Sequence, residues 1–360
     1  MALASADRVL SNELHAQRER LYQQLEAQSI EPLWRVLGDA APKAPRVQSV
    51  PHMWAWRDVR PYMMTAGDLV TPQEAERRVL MLINPAFKSM TFRTVGLIYA
   101  GIQMIMPGEI ADSHRHSPNA QRFIIEGGGA YTAVEGERTI MSKGDFVLTP
   151  AWSWHDHGNE SAKPMIWLDG LDLPFAIILD ANFFEDYVGG DGGMQPIFRQ
   201  TEDSHHRWGR NLRPTWQQPT SSLSSPVLNY RWAESRAALH ALRDEPGSPY
   251  DGVILQYINP ITGGPTLPTI AACLQLLRKG EHTRWHRHTS STIYHVAEGE
   301  GRSLVGETDF KWEEGDTFVV PSWMPHEHES IDGEAVLFSY SDRPIINAFG
   351  FYREEDVPAK

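Results

Sequence analysis

The 360-residue chain has a single cysteine, Cys273, which excludes an intramolecular disulfide framework and any thiolate metal cluster. Long apolar runs are also missing. The most apolar stretch, Pro164 to Leu179, is interrupted by Asp169 and Asp172 and is too short to span a bilayer. Basic residues are in deficit, with 33 Lys+Arg against 46 Asp+Glu and a net charge of −13, which argues against a nucleic-acid or anionic-membrane partner. An acidic total still leaves room for a small anionic substrate in a locally positive pocket. Charges at Asp7, Arg8 and Glu13 stand where a signal peptide needs an apolar core, so a cytoplasmic protein is expected.

What is present is more informative. Hydrophobic residues make up 41%, enough to build cores, and about 150 residues per domain suggests two domains. Fifteen histidines and twelve tryptophans are high counts, and the histidine positions carry the argument. Leu10, Leu14, Leu21 and Leu25 recur at near-helical spacing, so helix is expected across the first 40 residues. Thr71-Pro72-Gln73-Glu74 carries the signature of a capped helix start. From about Val79 short apolar and β-branched runs alternate with glycine turns, which predicts an all-β barrel or jelly roll. The Gly-, Pro- and Ser-rich stretch after residue 190 reads as a linker with one helix over Tyr230 to Leu239, followed by renewed strand pattern.

An internal repeat sets the architecture. Gly108-Glu109 followed by His114-Arg115-His116 returns as Gly280-Glu281 followed by His286-Arg287-His288, at an offset of 172. Gly144-Asp145, Pro150, Trp152, His155 and His157 return as Gly315-Asp316, Pro321, Trp323, His326 and His328, at an offset of 171. The chain is therefore expected to be a duplicated β domain. Its parts are an N-terminal helical arm (1–78), a first barrel (79–190), a linker with a short helix (191–255) and a second, mainly structural barrel (256–360).

On a strand His114 and His116 point to one face, and His155 follows about 40 residues later in a strand opened by a Gly-Asp turn. Three imidazoles converging inside a small barrel suit a divalent ion such as Fe, Mn, Ni, Cu or Zn. A single His-x-His is weak evidence, but the same spacing with the same flanking residues occurs twice.

These residues resemble the cupin superfamily, whose first motif is a glycine, His-x-His and a later Glu, and whose second is Gly, Pro-x-Gly, His and Asn. Gly108, His114, His116 and Gly128, then Gly144, Pro150, His155 and Asn159, fill it. Gln121 stands at the position of the Glu ligand and Trp152 at that of the second-motif glycine. Loss of the carboxylate leaves three neutral ligands, with open positions suited to a chelating dianion plus O₂. Within cupins the chain is similar to the bicupin gentisate 1,2-dioxygenases and their salicylate and hydroxynaphthoate relatives, from about Glu76 to Arg353. The segments that carry the likeness include 76–80, 100–103, 107–111, 114–117, 154–159 and 167–172.

The resemblance implies two jelly-roll barrels and one Fe(II) per subunit in the N-terminal barrel, held by His114, His116 and His155. It implies cleavage of an aromatic ring between the carboxyl-bearing and the adjacent hydroxyl-bearing carbon, with O₂ as co-substrate and a homotetramer as the assembly. By its pattern, Arg78 and Arg122 clamp the substrate carboxylate, Gln103 bonds a substrate oxygen, His157 moves a proton and Asp169 orients a partner. Tyr99, Leu80, Gly101 and Trp154 line the pocket, and Tyr99 leans towards gentisate over salicylate, a 5-substituted salicylate or 1-hydroxy-2-naphthoate. The second copy keeps His286, His288 and His326 but has Tyr294 where the first has Arg122, leaving a second metal site open. Two other classes remain at this stage, a non-catalytic ligand-binding or storage bicupin and a Zn or Mn cupin enzyme such as an isomerase.

Overall fold

The computed structural model describes residues 12–87, 91–189, 193–219 and 223–358. Two compact units divide at Arg46. In the first, helices Asn12–Ala27 and Leu33–Ala40 account for the leucine periodicity; Leu10 lies outside the described residues. Inside this unit the Tyr22 hydroxyl accepts from Arg18 and from the indole N–H of Trp34, while Arg35 lies over its ring. Among the described residues no helix is long and apolar enough to cross a membrane.

The second unit holds two barrels built alike. In the N-terminal barrel one antiparallel sheet orders Phe146–Thr149, Ala120–Glu126, Met165–Leu171, Tyr99–Ile105 and Val79–Met81 side by side. The facing sheet orders Phe184–Asp186, Ile110–His116, His155–Asn159, Gly128–Val134 and Glu137–Ser142. The C-terminal barrel repeats the plan. Thr317–Val320, Thr292–Glu298, Ala335–Ser341, Ala271–Leu277 and Val253–Gln256 lie in one sheet, and Thr308–Glu313, Glu300–Val305, His326–Ser330, His286–His288 and Glu354–Asp356 in the other. The bicupin architecture expected from the repeat is what the chain adopts.

Strand alternation sorts the apolar residues into three cores. Ile124, Val147, Met165 and Trp167 point into the N-terminal barrel, and Tyr294, Val296, Phe318 and Leu337 into the C-terminal one. Alternate residues such as Phe123, Ile125, Ile293 and Phe338 form a core between the barrels, where Phe123 stacks on Phe338 at 4.3 Å between centroids.

The segment expected to be a linker is woven into the barrels. Asn229–Tyr230 pairs with Phe146–Thr149 as an edge strand of the N-terminal barrel, so the helix after it starts later than its pattern predicts, at Trp232–Ala241. The Trp232 N–H donates to Asp145 Oδ1 at 2.9 Å and its indole lies over Gly144. The mirror arrangement sits upstream. His52–Trp54 pairs with Thr317–Val320 of the C-terminal barrel, helix Trp56–Leu69 follows, and the Trp56 N–H donates to Asp316 Oδ1 at 2.7 Å above Gly315. Each repeat thus lends its leading strand and the first residue of the following helix to the other repeat's barrel, while the helix body packs on its own, Trp56–Leu69 against Tyr99–Ile105 and Trp232–Ala241 against Ala271–Leu277. Gly144 and Gly315 have φ of +84° and +94°, and an added Cβ at either would run into the indole.

A cavity of about 600 Å³ opens between the barrels, lined by Trp56, Trp232, His295, Lys143 and Arg236. It touches none of the repeated His-x-His and His155/His326 residues, so volume alone does not mark the chemistry.

Candidate metal centre and substrate pocket

Strand Ile110–His116 presents His114 and His116 on one face, and strand His155–Asn159 sets His155 directly opposite His114 in register. The rings stand 3.9 Å (His114–His155), 4.8 Å (His116–His155) and 5.5 Å (His114–His116) apart between centroids. One donor nitrogen from each lies within 4.8 Å of the others. His116 Nδ1–H donates to the Pro118 carbonyl at 2.7 Å and His155 Nδ1–H to Ser153 at 2.9 Å. A carbonyl on Nδ1 fixes the tautomer and aims the lone pair of Nε2 inward, as metal-binding histidines require. His155 Nε2 is buried and has no hydrogen-bond partner.

Burial is the main cause of the depressed histidine pKa values. His114 falls to about 2, helped by Arg77, and His116 to about 4. His155 and His157 lie well below the ordinary value for the same reason, with His114 the next contributor to the first and Arg122 to the second. All four imidazoles are neutral at pH 7, the form that binds metal. The orphaned Nε2 of His155 and the neutral, carbonyl-set rings of His116 and His155, beside neutral His114, fit a divalent ion.

Trp152 resolves one departure from the cupin pattern. Its φ is +63°, the left-handed region the motif glycine supplies, and its N–H holds the His116 carbonyl at 2.8 Å. Trp323 repeats this with φ +59° and a bond to the His288 carbonyl. The backbone requirement persists although the glycine is gone.

Gln121 is a correction. Strand Ala120–Glu126 alternates, so Gln121 shares the face of Phe123 and Ile125 and points between the barrels, away from the triad. The inward residue is Arg122. Its guanidinium donates to Thr149 Oγ1 and lies 3.2 Å from Asp169 Oδ1, with both side chains buried. The Trp167 indole N–H donates to the same Asp169 oxygen at 3.0 Å. Burial raises the Asp169 carboxyl to about 6 despite Arg122.

The remaining expected residues divide. Tyr99, Gly101 and Gln103 alternate along one face of Tyr99–Ile105, and Gly101 is in register with Asp169, which is in register with Arg122. A Cβ on Gly101 would strike the Tyr99 hydroxyl and Val79. His157 lies inside the barrel beside Trp167, with Nδ1 2.9 Å from Thr132 Oγ1 and Nε2 buried without a partner. The structure does not bring Leu80, Trp154 or the Arg78 guanidinium to the triad. Leu80 packs into the core between the barrels. Trp154 lies under Arg115 at 4.6 Å and against Tyr187, on the opposite face from the histidines. The Arg78 guanidinium is taken by both Glu109 oxygens at 2.9 Å and by the Val70 carbonyl.

Sequence reasoning missed Arg77, Thr132 and Thr149. Arg77 Nη2 reaches His114 Nδ1 and donates to the Asp112 carbonyl at 3.2 Å. Burial lowers its pKa to about 10, with Arg122 the next cause, so both guanidiniums act on one space. Arg77 shares the parity of Val79, which pairs with Gln103. Period-two counting favours it over Arg78 once that pairing is known.

Fold and site together define a bicupin metalloprotein with a three-histidine centre flanked by buried Arg122 and half-buried Arg77. The Cupin domain family model matches residues 101–171 and 273–340. The chain is 47% identical to gentisate 1,2-dioxygenase 1 of Aquipseudomonas alcaligenes, over 94% of this chain and 96% of that protein. It is 41% identical to 5-aminosalicylate 1,2-dioxygenase of a Comamonas species, over 95% and 91%. The crystal structure of salicylate 1,2-dioxygenase from Pseudoaminobacter salicylatoxidans with gentisate matches with a TM-score of 0.88 at 35% identity, covering 100% of this chain and 98% of that one. The chain belongs to the gentisate 1,2-dioxygenase family and is a ring-cleaving oxidoreductase.

Proposed function

We propose that this enzyme opens gentisate (2,5-dihydroxybenzoate) between the carboxyl-bearing and adjacent hydroxyl-bearing carbons to give maleylpyruvate, using O₂ and one Fe(II) in the N-terminal barrel. The observation that carries the reading is the pairing of a metal-ready triad with buried Arg122 and half-buried Arg77. A neutral imidazole site alone would hold a cation, whereas two guanidiniums beside it select an anion. Fe(II) bound by His114, His116 and His155 supplies the redox chemistry that joins substrate and O₂.

The protein's part is orientation and proton handling. Arg122 receives the substrate carboxylate with the planar, two-pronged geometry of a guanidinium, while Asp169 and Thr149 hold it in place. Arg77 adds a second positive charge. Thr132 places its own proton towards Met141 Sδ, 3.2 Å away, and so accepts from His157 Nδ1–H. His157 Nε2 is then a lone pair, neutral because buried, ready to take the proton of the substrate hydroxyl. Gln103 offers an amide to a substrate oxygen. Tyr99 and Gly101 shape the aromatic end, with glycine leaving room where a methyl would meet the tyrosine hydroxyl.

A 5-aminosalicylate-type substrate is the second reading, favoured by the 41% identical relative and by the same arginine pair. A storage role leaves Arg122 and Arg77 beside the triad without a purpose. The homotetramer implied by the family likeness and a cytoplasmic location belong to the same proposal, and sedimentation checks the assembly. The test of function is an oxygen-electrode and absorbance assay of anaerobically Fe(II)-loaded protein with gentisate, 5-aminosalicylate, salicylate and 1-hydroxy-2-naphthoate. Fastest turnover of gentisate supports the proposal; no O₂ uptake with any of them at full iron loading sinks it.

A further inference from the structure

The second histidine triad is not used by the proposed reaction, and it is built with the same care as the first. His286, His288 and His326 stand 4.2, 5.0 and 5.5 Å apart between ring centroids, within about 0.3 Å of their N-terminal counterparts. His288 Nδ1–H donates to the Ser290 carbonyl and His326 Nδ1–H to Met324, at 2.9 and 3.0 Å, repeating the arrangement that fixes the tautomers of His116 and His155. His326 Nε2 is buried and has no partner. Two of the three rings thus have carbonyls that aim their lone pairs at one point, which a triad kept only for packing does not need.

The two triads differ in what surrounds them, at positions matched by strand register. Where the N-terminal barrel has Arg122, the C-terminal one has Tyr294, whose ring packs on His328 and Phe318. Phe184 pairs with His116 and stacks on His114, whereas Glu354 pairs with His288 and sits with Oε1 3.9 Å from His286 Nε2. No arginine among the described residues takes the place of Arg77 against His286; Tyr250 stacks there instead, at 4.7 Å. Of the nearby guanidiniums, Arg343 lies over Tyr352 and Arg284 faces Asp356, at the rim. Arg77 and Arg122 thus stand near the first triad together with Asp169 and Asp186, whereas the second has carboxylates and no guanidinium against its rings. Coulomb's law then predicts a difference: the two guanidiniums, only partly offset by Asp169 and Asp186, weaken the first site's hold on a bare dication, whereas Glu354 strengthens that of the second.

We infer that the C-terminal barrel is a second divalent-cation site, held by His286, His288 and His326 with Glu354 as a fourth donor, closed to aromatic acids and tighter for the bare ion than the N-terminal site. Four donors with no arginine make a closed coordination shell of the structural kind, with no position for a carboxylate substrate.

Cobalt(II) tests this in the full-length protein. Metal-stripped enzyme is loaded anaerobically with Co(II), desalted and analysed for metal, with visible spectra recorded before and after gentisate. Two Co(II) per chain are expected in the wild type, and one in either His288→Ala or His116→Ala. Graded dipicolinate without gentisate should strip the site lost in His116→Ala first, at chelator concentrations at least tenfold lower. Glu354→Gln should narrow that gap. Gentisate should change the spectrum of His288→Ala but leave that of His116→Ala unchanged. The wild-type count is decisive even if a variant misfolds, because a single Co(II) per chain overturns the inference. So does a second Co(II) that survives His288→Ala, or a gentisate response in His116→Ala.

Discussion

The Tyr340 hydroxyl, carried by the C-terminal barrel, lies 3.2 Å from the backbone carbonyl of Tyr99 and 3.3 Å from that of Asp169 in the N-terminal barrel. It is fully buried, and its ring fills the space a side chain on Gly170 would need. Two strands that carry pocket residues are thus tied to one donor from the other repeat. Tyr340→Phe leaves those carbonyls buried without that donor, a loss of about 1–3 kcal/mol. A several-fold fall in kcat with iron content unchanged is expected, checked by steady-state kinetics and metal analysis together.

The neighbouring arginines 77 and 78 should separate cleanly. Arg77→Ala removes a charge from the proposed anion site, so KM for gentisate should rise at least tenfold (about 1.4 kcal/mol) with a normal melting curve. Arg78→Ala strands Glu109 in a half-buried pair, so stability should drop by about 3 kcal/mol. Equal effects of the two variants on KM would refute the assignment.

Stability of the metal-free protein should fall on mild acidification. His114, His116, His288 and His328 have folded-state values of about 2, 4, 4 and 3, depressed chiefly by burial. A depressed value contributes stability that is present above the unfolded-state pKa of roughly 6.5 and is lost as pH falls below it. Asp156, Asp169 and Asp342, each raised to about 6 by burial, act in the opposite sense: their contribution is full below the unfolded carboxylate value and is lost as pH rises through about 6. The histidines outnumber them. Urea titrations between pH 7.5 and 5 should show a loss of about 2 kcal/mol per buried histidine by pH 5, and bound metal should steepen the trend. A flat profile would contradict this balance.

Reciprocal exchange makes the barrels interdependent. Asp145→Ala should release the N-terminus of helix Trp232–Ala241 from the N-terminal barrel, and Asp316→Ala that of helix Trp56–Leu69 from the C-terminal one. Each should cost about 1–3 kcal/mol. Calorimetry of either variant should still give one cooperative transition of the exchanged pair; two separated peaks would show that the barrels melt alone.

Trp152 sits at φ +63°, where a non-glycine residue costs roughly 1–2 kcal/mol. Trp152→Gly removes that strain and the contacts to Phe183 and Arg115 together, so a change within about 1 kcal/mol is expected. Trp152→Val keeps the strain with a β-branched side chain and should be clearly less stable. Thermal denaturation of the pair decides it.

The repeated glycines, His-x-His pairs and later histidines determined, by spacing alone, that the chain is duplicated and that two imidazole triads form. Those features are legible because a strand's period of two fixes which neighbours share a face. Pairing partners are not local, and what depended on them stayed hidden. Arg77 rather than Arg78 faces His114 because Val79 pairs with Gln103. Gln121 turns away and Arg122 inward because of where strand Ala120–Glu126 lies between two cores. The stretch after residue 190 looks like a tether, yet Asn229–Tyr230 is an edge strand because backbone hydrogen bonding to Val147 and Phe146 overrides weak local propensity. Only the tertiary structure gave the two triads their different surroundings, since Arg77, Phe184 and Glu354 reach them from segments far away in the chain.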